Sequence, residues 1–139
     1  MFDGMKIAST GLVADSTWLS VIANDLANAD TTVTPQGGPY RSEYVTFQAV
    51  PPTSSGSSNG VGQGVMVAGI YQDQGPLTVV YDPTSPQANA QGDVLYPNVS
   101  LPTQMVDLIQ ASAAYQANVS AFNSAKAMDV EALTIGTTA

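Results

Sequence analysis

Apolar residues recur at strict three-four spacing through both ends of this chain, in segments that carry almost no charge on any face. Near the N-terminus Met5, Ala8, Leu12, Asp15, Leu19, Ile22, Leu26 and Ala29 keep that interval, and only Asp15 breaks the apolar stripe. Near the C-terminus Leu101, Met105, Leu108, Ser112, Tyr115, Val119 and Phe122 do the same, and Ala125, Met128, Ala132 and Ile135 continue after a three-residue slip. A repeat of this kind is a coiled-coil seam, and the slip overwinds a supercoil locally without ending it. At 1.5 Å per residue, positions 5–29 span roughly 37 Å and positions 102–135 roughly 50 Å. Helices of that length do not fit easily inside a compact ball of 139 residues.

The seams alone suit two readings: amphipathic helices facing the chain's own core, or helices packed between other helices. The remaining faces favour the second. An ordinary surface helix carries charge opposite its apolar stripe, yet residues 5–29 hold only Lys6, Asp15 and Asp25, and residues 101–136 only Asp107, Lys126, Asp129 and Glu131. Ala, Ser, Thr, Asn and Gln take the place of charge. Such residues let helices approach closely at a lower desolvation cost than charges impose. A lone subunit has no partners for these faces, so both terminal segments are expected to be largely disordered before assembly.

Composition narrows the function classes. Charged residues make up 10% of the chain, against about 25% in typical soluble domains. A net charge of −8 argues against nucleic acid or an anionic membrane as partner. The chain has no cysteine and no histidine, which removes disulfides, thiolate nucleophiles, the commonest general base and the usual zinc ligands. The first residues, MFDGMKIASTGLVADS, lack the apolar core of a cleavable signal peptide. No apolar run is long enough to cross a bilayer, so direct membrane insertion is not expected.

Between the seams the pattern changes to short strands and turns. Pro35 to Pro39 break the helical pattern, and alternation from Tyr40 through Ala49 predicts a strand that Pro51 and Pro52 end. The Ser/Gly stretch 53–64 reads as a flexible spacer or hairpin tip. Further strands are predicted at Val65–Gln72, Leu77–Tyr81 and Val94–Tyr96, and Ser100 is placed as the N-cap of the last helix. The predicted fold is α+β. Segments 1–30 and 101–139 pair as an antiparallel coiled-coil hairpin, one discontinuous domain, around a small β-rich region at 31–100.

No motif supplies chemistry. The run Gly60-Val61-Gly62-Gln63-Gly64 has neither dinucleotide spacing nor a Walker lysine, and Asp73, Asp82 and Asp93 beside Gly and Pro read as turn formers. No catalytic, metal-binding or cofactor-binding residue is assigned. Asn24, Asn28 and Asn118 have weak helix propensity; each is either exposed or capping, or pairs across a helix interface and fixes its register. Tyr115 is open between core filling and an interfacial hydroxyl contact.

Several of these residues also form motifs in order. Ala23-Asn24-Asp25-Leu26-Ala27-Asn28-Ala29-Asp30-Thr31 resembles the ANNLANAxT signature of flagellar rod and hook proteins. Pro39-Tyr40-Arg41, Val45-Thr46-Phe47, Tyr81-Asp82-Pro83, Gly92-Asp93-Val94, Tyr96-Pro97-Asn98-Val99 and Tyr115-Gln116-Ala117-Asn118 extend that resemblance to the flagellar basal-body rod family, and to its short proximal rod members. Asp25 stands where the signature has Asn and Ala114 where the family commonly has Arg, so contacts made by those side chains do not carry over.

The resemblance implies a subunit of the axial drive shaft, a rod that crosses the periplasm, transmits torque and surrounds the export channel. It implies export by the flagellar type III apparatus without a cleaved signal. The implied partners are copies of the chain, other proximal rod proteins, the distal rod protein and the adaptor between rod and MS ring. The interface is expected at Leu12, Leu19, Ile22, Asn24, Leu26, Asn28, Met105, Leu108, Tyr115, Asn118, Val119, Phe122 and Met128. Rival readings are another flagellar axial protein, a type III secreted coiled-coil effector or translocator, and an enzyme using carboxylates alone.

Overall fold

The computed structural model describes residues 3–51 and 62–137. Two long helices, α1 (Asp3–Ala27) and α2 (Leu101–Thr137), flank four strands: β1 (Glu43–Ala49), β2 (Val65–Gln72), β3 (Thr78–Tyr81) and β4 (Asp93–Tyr96). The architecture is α+β, with the helices paired and two small antiparallel sheets, β1-β2 and β3-β4, between them in sequence. Most of the Ser/Gly stretch expected to act as a spacer lies outside the described residues.

Three contacts define the register of the helix pair. A Cβ on Gly4 would stand 3.4 Å from Ala125 Cβ, Gly11 faces the Asn118 amide, and Asp25 is bonded by Gln104. Each step forward along α1 is matched by one step back along α2, so the helices run antiparallel. Residues 127–137 of α2 therefore pass beyond Asp3, a reach of roughly 16 Å.

The apolar core is thin and built from small residues. Ala8, Ala14, Val21, Ile22, Val94 and Ala111 are its buried apolar members, and the one large side chain that is fully buried among the described residues is Asp25. On α1 the seam residues face inward: Ala8, Asp15 and Ile22 are buried, and Met5, Leu12, Leu19 and Leu26 are half-buried. On α2 the inward stripe differs from the predicted seam. Gln104, Ala111 and Asp129 are buried, whereas Met105 and Met128 lie outside. Leu108, Val119, Phe122, Ala125 and Ala132 of that seam are half-buried, but the most buried positions sit one residue to either side of it, because α2 is apolar on more than one face and periodicity alone could not choose among them.

Strand boundaries follow local chemistry. The strand predicted from Tyr40 begins at Glu43, since Tyr40 and Ser42 turn toward Asp25. β1 and β2 pair antiparallel from Glu43 opposite Gln72 to Ala49 opposite Val65, with a bulge between Thr46 and Phe47. The hairpin rests on α1 at two points. Trp18 meets Phe47 edge-on at 6.0 Å, and the Thr10 hydroxyl accepts the Val65 N–H at 3.1 Å. Ser100 stands at the start of α2 as expected: its carbonyl accepts the Gln104 N–H at 2.9 Å, and its hydroxyl accepts that of Thr103 at 2.9 Å.

Gly64 makes the approach of hairpin to helix possible. Its φ of 100° is a left-handed conformation, and a Cβ there would collide with the Thr10 side chain. Gly64→Ala is expected to lower stability by about 1–3 kcal/mol in urea unfolding. Gly37→Ala, at φ 89° but in open space, should cost less, because backbone strain acts there without the clash.

Candidate functional site

The helix pair meets the β-region at one junction, organised by Asp25. Its Oδ1 accepts the Tyr40 hydroxyl at 2.7 Å and the Glu43 N–H at 3.0 Å. Its Oδ2 accepts the Ser42 hydroxyl at 2.6 Å and Gln104 Nε2 at 2.8 Å. One carboxylate with no exposure thus ties α1, the segment entering β1, and α2 together. Among the described residues no cation touches it; four donors supply the compensation that burial of a charge demands.

A second layer fixes those donors. The Asn98 side-chain oxygen accepts the Ser42 N–H at 2.9 Å, and Asp73 N–H reaches the Ser42 carbonyl at 2.7 Å. Arg41 Nη1 donates to the carbonyls of Asp73 and Gly75 at 3.2 and 3.1 Å, closing the end of β2 onto the junction. Asn24 donates to the Tyr40 hydroxyl at 3.0 Å, and Asn28 donates to the Asn24 carbonyl at 2.9 Å and side-chain oxygen at 3.1 Å. Asn24 and Asn28 therefore bond within the junction, not across the helix pair. Their short amides find local partners where α1 gives way to turns.

Asn118 does cross the pair. Its Nδ2 donates to the buried Asp15 Oδ2 at 2.8 Å, and a Cβ on Gly11 would come within 2.7 Å of that amide. Glycine at position 11 thus makes room for a polar bond that sets register, and it explains the one polar residue in the α1 seam.

The expected interface residues fall into two groups. Ile22 is buried, and Leu12, Leu19, Leu26, Asn28, Leu108, Asn118, Val119 and Phe122 are half-buried, packing within the subunit. Met105, Tyr115 and Met128 are exposed, with Asn24 at the surface of the junction. The structure adds exposed apolar residues that the seam did not name: Val13, Val106, Ile109, Val130 and Leu133 are each more than half exposed. The i,i+3 pairs Val106/Ile109 and Val130/Leu133 were visible as a second apolar stripe. Asp25 and Gln104 carried no comparable signal, since their roles depend on residues far away in sequence.

The acids near the turns act as the sequence suggests. The Asp73 side chain accepts the Gly75 N–H at 2.9 Å, and the Asp82 side chain accepts the Thr84 N–H and hydroxyl at 3.1 and 2.6 Å. Those Thr84 bonds hold Asp82 below its ordinary pKa of 3.8. Among the described residues no group of acids is arranged to hold a metal ion, and no helix is long and apolar enough to cross a membrane.

An antiparallel helix pair with apolar faces turned outward, and a β-region locked to one end, defines an assembling structural subunit, and comparison with known proteins agrees. Residues 90–135 match the family described as Flagellar basal body rod FlgEFG protein C-terminal. Full-length similarity is more specific. A protein of Borreliella burgdorferi is 43% identical over 97% of each chain, one of Escherichia coli 42% identical over 94% of this chain and 93% of its own, and one of Bacillus subtilis 38% identical over 97% of each. Each is named Flagellar basal-body rod protein FlgC, and the present chain belongs to this FlgC family of flagellar basal-body rod proteins.

Two measurements probe the junction. Asp25→Ala strands four donors, one buried and three part-buried, and should cost about 2–3 kcal/mol in chemical unfolding, with Asp25→Asn costing less because one acceptor oxygen remains. Burial, followed by the hydrogen bond and the charge of Asp25, pushes the Tyr40 hydroxyl above its ordinary pKa of 10.0. Its contribution is therefore complete below pH 10.0 and lost as the pH rises beyond it, because the unfolded chain ionises first. Wild type should lose more stability than Tyr40→Phe between pH 9 and 11, roughly one unit either side of the unfolded value.

Proposed function

We propose that the chain is a structural, non-enzymatic subunit of the proximal rod, polymerising through its terminal helices into the axial shaft that transmits torque and surrounds the export channel. The observation that carries this reading is the outward face of α2. Met105 and Ile109 are 54% and 69% exposed on a stretch whose other side packs on α1, and Met128, Leu133 and Ile135, beyond the start of α1, are 57% to 68% exposed. Apolar surface on this scale gains free energy only when neighbouring subunits cover it.

A torque shaft needs no catalytic group. It needs each subunit held by many neighbours, so that modest energies add and no single contact slips. In this reading the neighbours are copies of the chain, other proximal rod proteins, the distal rod protein and the adaptor joining the rod to the MS ring. The subunit reaches them through the flagellar type III export apparatus, without a cleaved signal. No nucleic acid, cofactor or membrane insertion enters the mechanism.

Mass spectrometry of purified hook–basal bodies is expected to find this polypeptide with its first residues intact; its absence from complete particles would move it out of the rod. Leu26→Asp places an unpaired charge beside the junction at a cost of several kcal/mol. Swimming in soft agar should be abolished although the variant is still synthesised. Normal swimming would count against packing of the helices as the basis of assembly.

A further inference from the structure

Strands β3 and β4 are joined to the rest of the chain in a way the other elements are not. No Cα of either strand comes within 8 Å of one in α1, α2, β1 or β2. Their pairing, from Thr78 opposite Tyr96 to Tyr81 opposite Asp93, is with each other. Among the described residues every hydrogen bond of 78–96 also stays inside that segment. The Asp82 N–H reaches the Gly92 carbonyl and the Asn89 N–H that of Asp93, both at 2.9 Å, and Asn89 Oδ1 accepts the N–H groups of Gln91 and Asp93 at 2.8 and 2.9 Å. The segment is tied within itself and not to its surroundings.

Apolar burial adds little. Val94 is the one buried apolar side chain of the segment, while Val79, Val80, Tyr81 and Leu95 are exposed. An open groove of about 230 Å³ runs between Val94 and Leu95 on one wall and Val33 and Pro39, in the turn after α1, on the other. A close-packed interface leaves no such space.

The two places where the chain enters and leaves the segment lie side by side: a Cβ on Gly75, on the way in, would stand 3.5 Å from Asn98 Nδ2, on the way out. Both are held from outside. Arg41 Nη1 donates to the carbonyls of Asp73 and Gly75, and Asn98 Oδ1 accepts the Ser42 N–H. Arg41 is itself placed by its neighbours Tyr40 and Ser42, whose hydroxyls bond Asp25. The bonds end there, since among the described residues Pro76, Leu77 and Pro97 make none. Two adjacent crossings without bonds of their own define one axis of rotation, and a few such positions suffice for a hinge.

We propose that residues 77–97 form a lobe that swings as one body about this axis, and that Arg41 and Asn98 are the clamp that limits the swing. The internal bonds keep β3, β4 and the loop between them in one shape, and the groove gives room for the motion. The exposed face at Val79, Val80 and Tyr81 is thereby presented at more than one angle while the junction stays fixed. This motion follows from the fold alone and does not depend on the rod reading.

Residual dipolar couplings of the full-length chain test both parts, because they are averaged down in any part that reorients against the aligned frame. In the wild type, amides of β3 and β4 should give couplings smaller by about a third or more than the frame fitted to β1 and β2 requires, while still fitting the geometry of their own pair. One frame fitting all four strands without reduction would overturn the lobe, and couplings in β3 and β4 that fit no single geometry would show that the segment melts and does not swing. Arg41→Gln and Asn98→Ala should each reduce the couplings of β3 and β4 further and leave those of β1 and β2 unchanged. No further reduction in either variant would overturn the clamp. Loss in β1 and β2 as well would overturn it too, by showing that these side chains support the whole junction.

Discussion

The carboxylate of Asp25 is the point on which the subunit's shape depends. It is fully buried in a fold with few large apolar side chains inside, and each of its donors comes from a different stretch of chain or a different group. A fully satisfied polar network of this kind specifies one arrangement, because any displacement strands a donor in a medium that cannot replace it. The helix pair, the entry to β1 and the end of β2 inherit their relative positions from it. An apolar core of alanines and valines could not have imposed that uniqueness, since small apolar contacts are non-directional and tolerate sliding.

Directional bonds inside and apolar faces outside suit a protein that has to be specific before it has neighbours and strongly held after it acquires them. In the isolated subunit the bond from Asn118 to Asp15 and the network around Asp25 set the register between the helices. The outward residues of α2 contribute nothing to that register and remain exposed. The β-region has a matching asymmetry. β2 and the Gly64 approach hold one hairpin against α1, whereas the β3-β4 pair leaves Val79, Val80 and Tyr81 exposed.

Much of this was legible in the sequence for physical reasons that can be stated. Three-four spacing and the absence of charge identified the helices and the inward face of α1, because helical periodicity is local information. Alternation and turn residues placed all four strands, with Val65–Gln72 recovered in full. Spacing could not assign the inward face of α2. Several of its faces are apolar, and only contact with α1 selects Gln104 and Ala111 over Met105. Asn118 was readable as a register-setting amide, but its partner was not, since Asp15 is distant in the chain and is admitted by the missing side chain of Gly11.

The sequence by itself determined the elements, the family and the low charge of both long helices, since these follow from local periodicity, composition and ordered motifs. Tertiary structure alone decided how polar groups are shared. It made Asp25 a satisfied centre, because whether a buried carboxylate is paired depends on donors that only folding brings within reach.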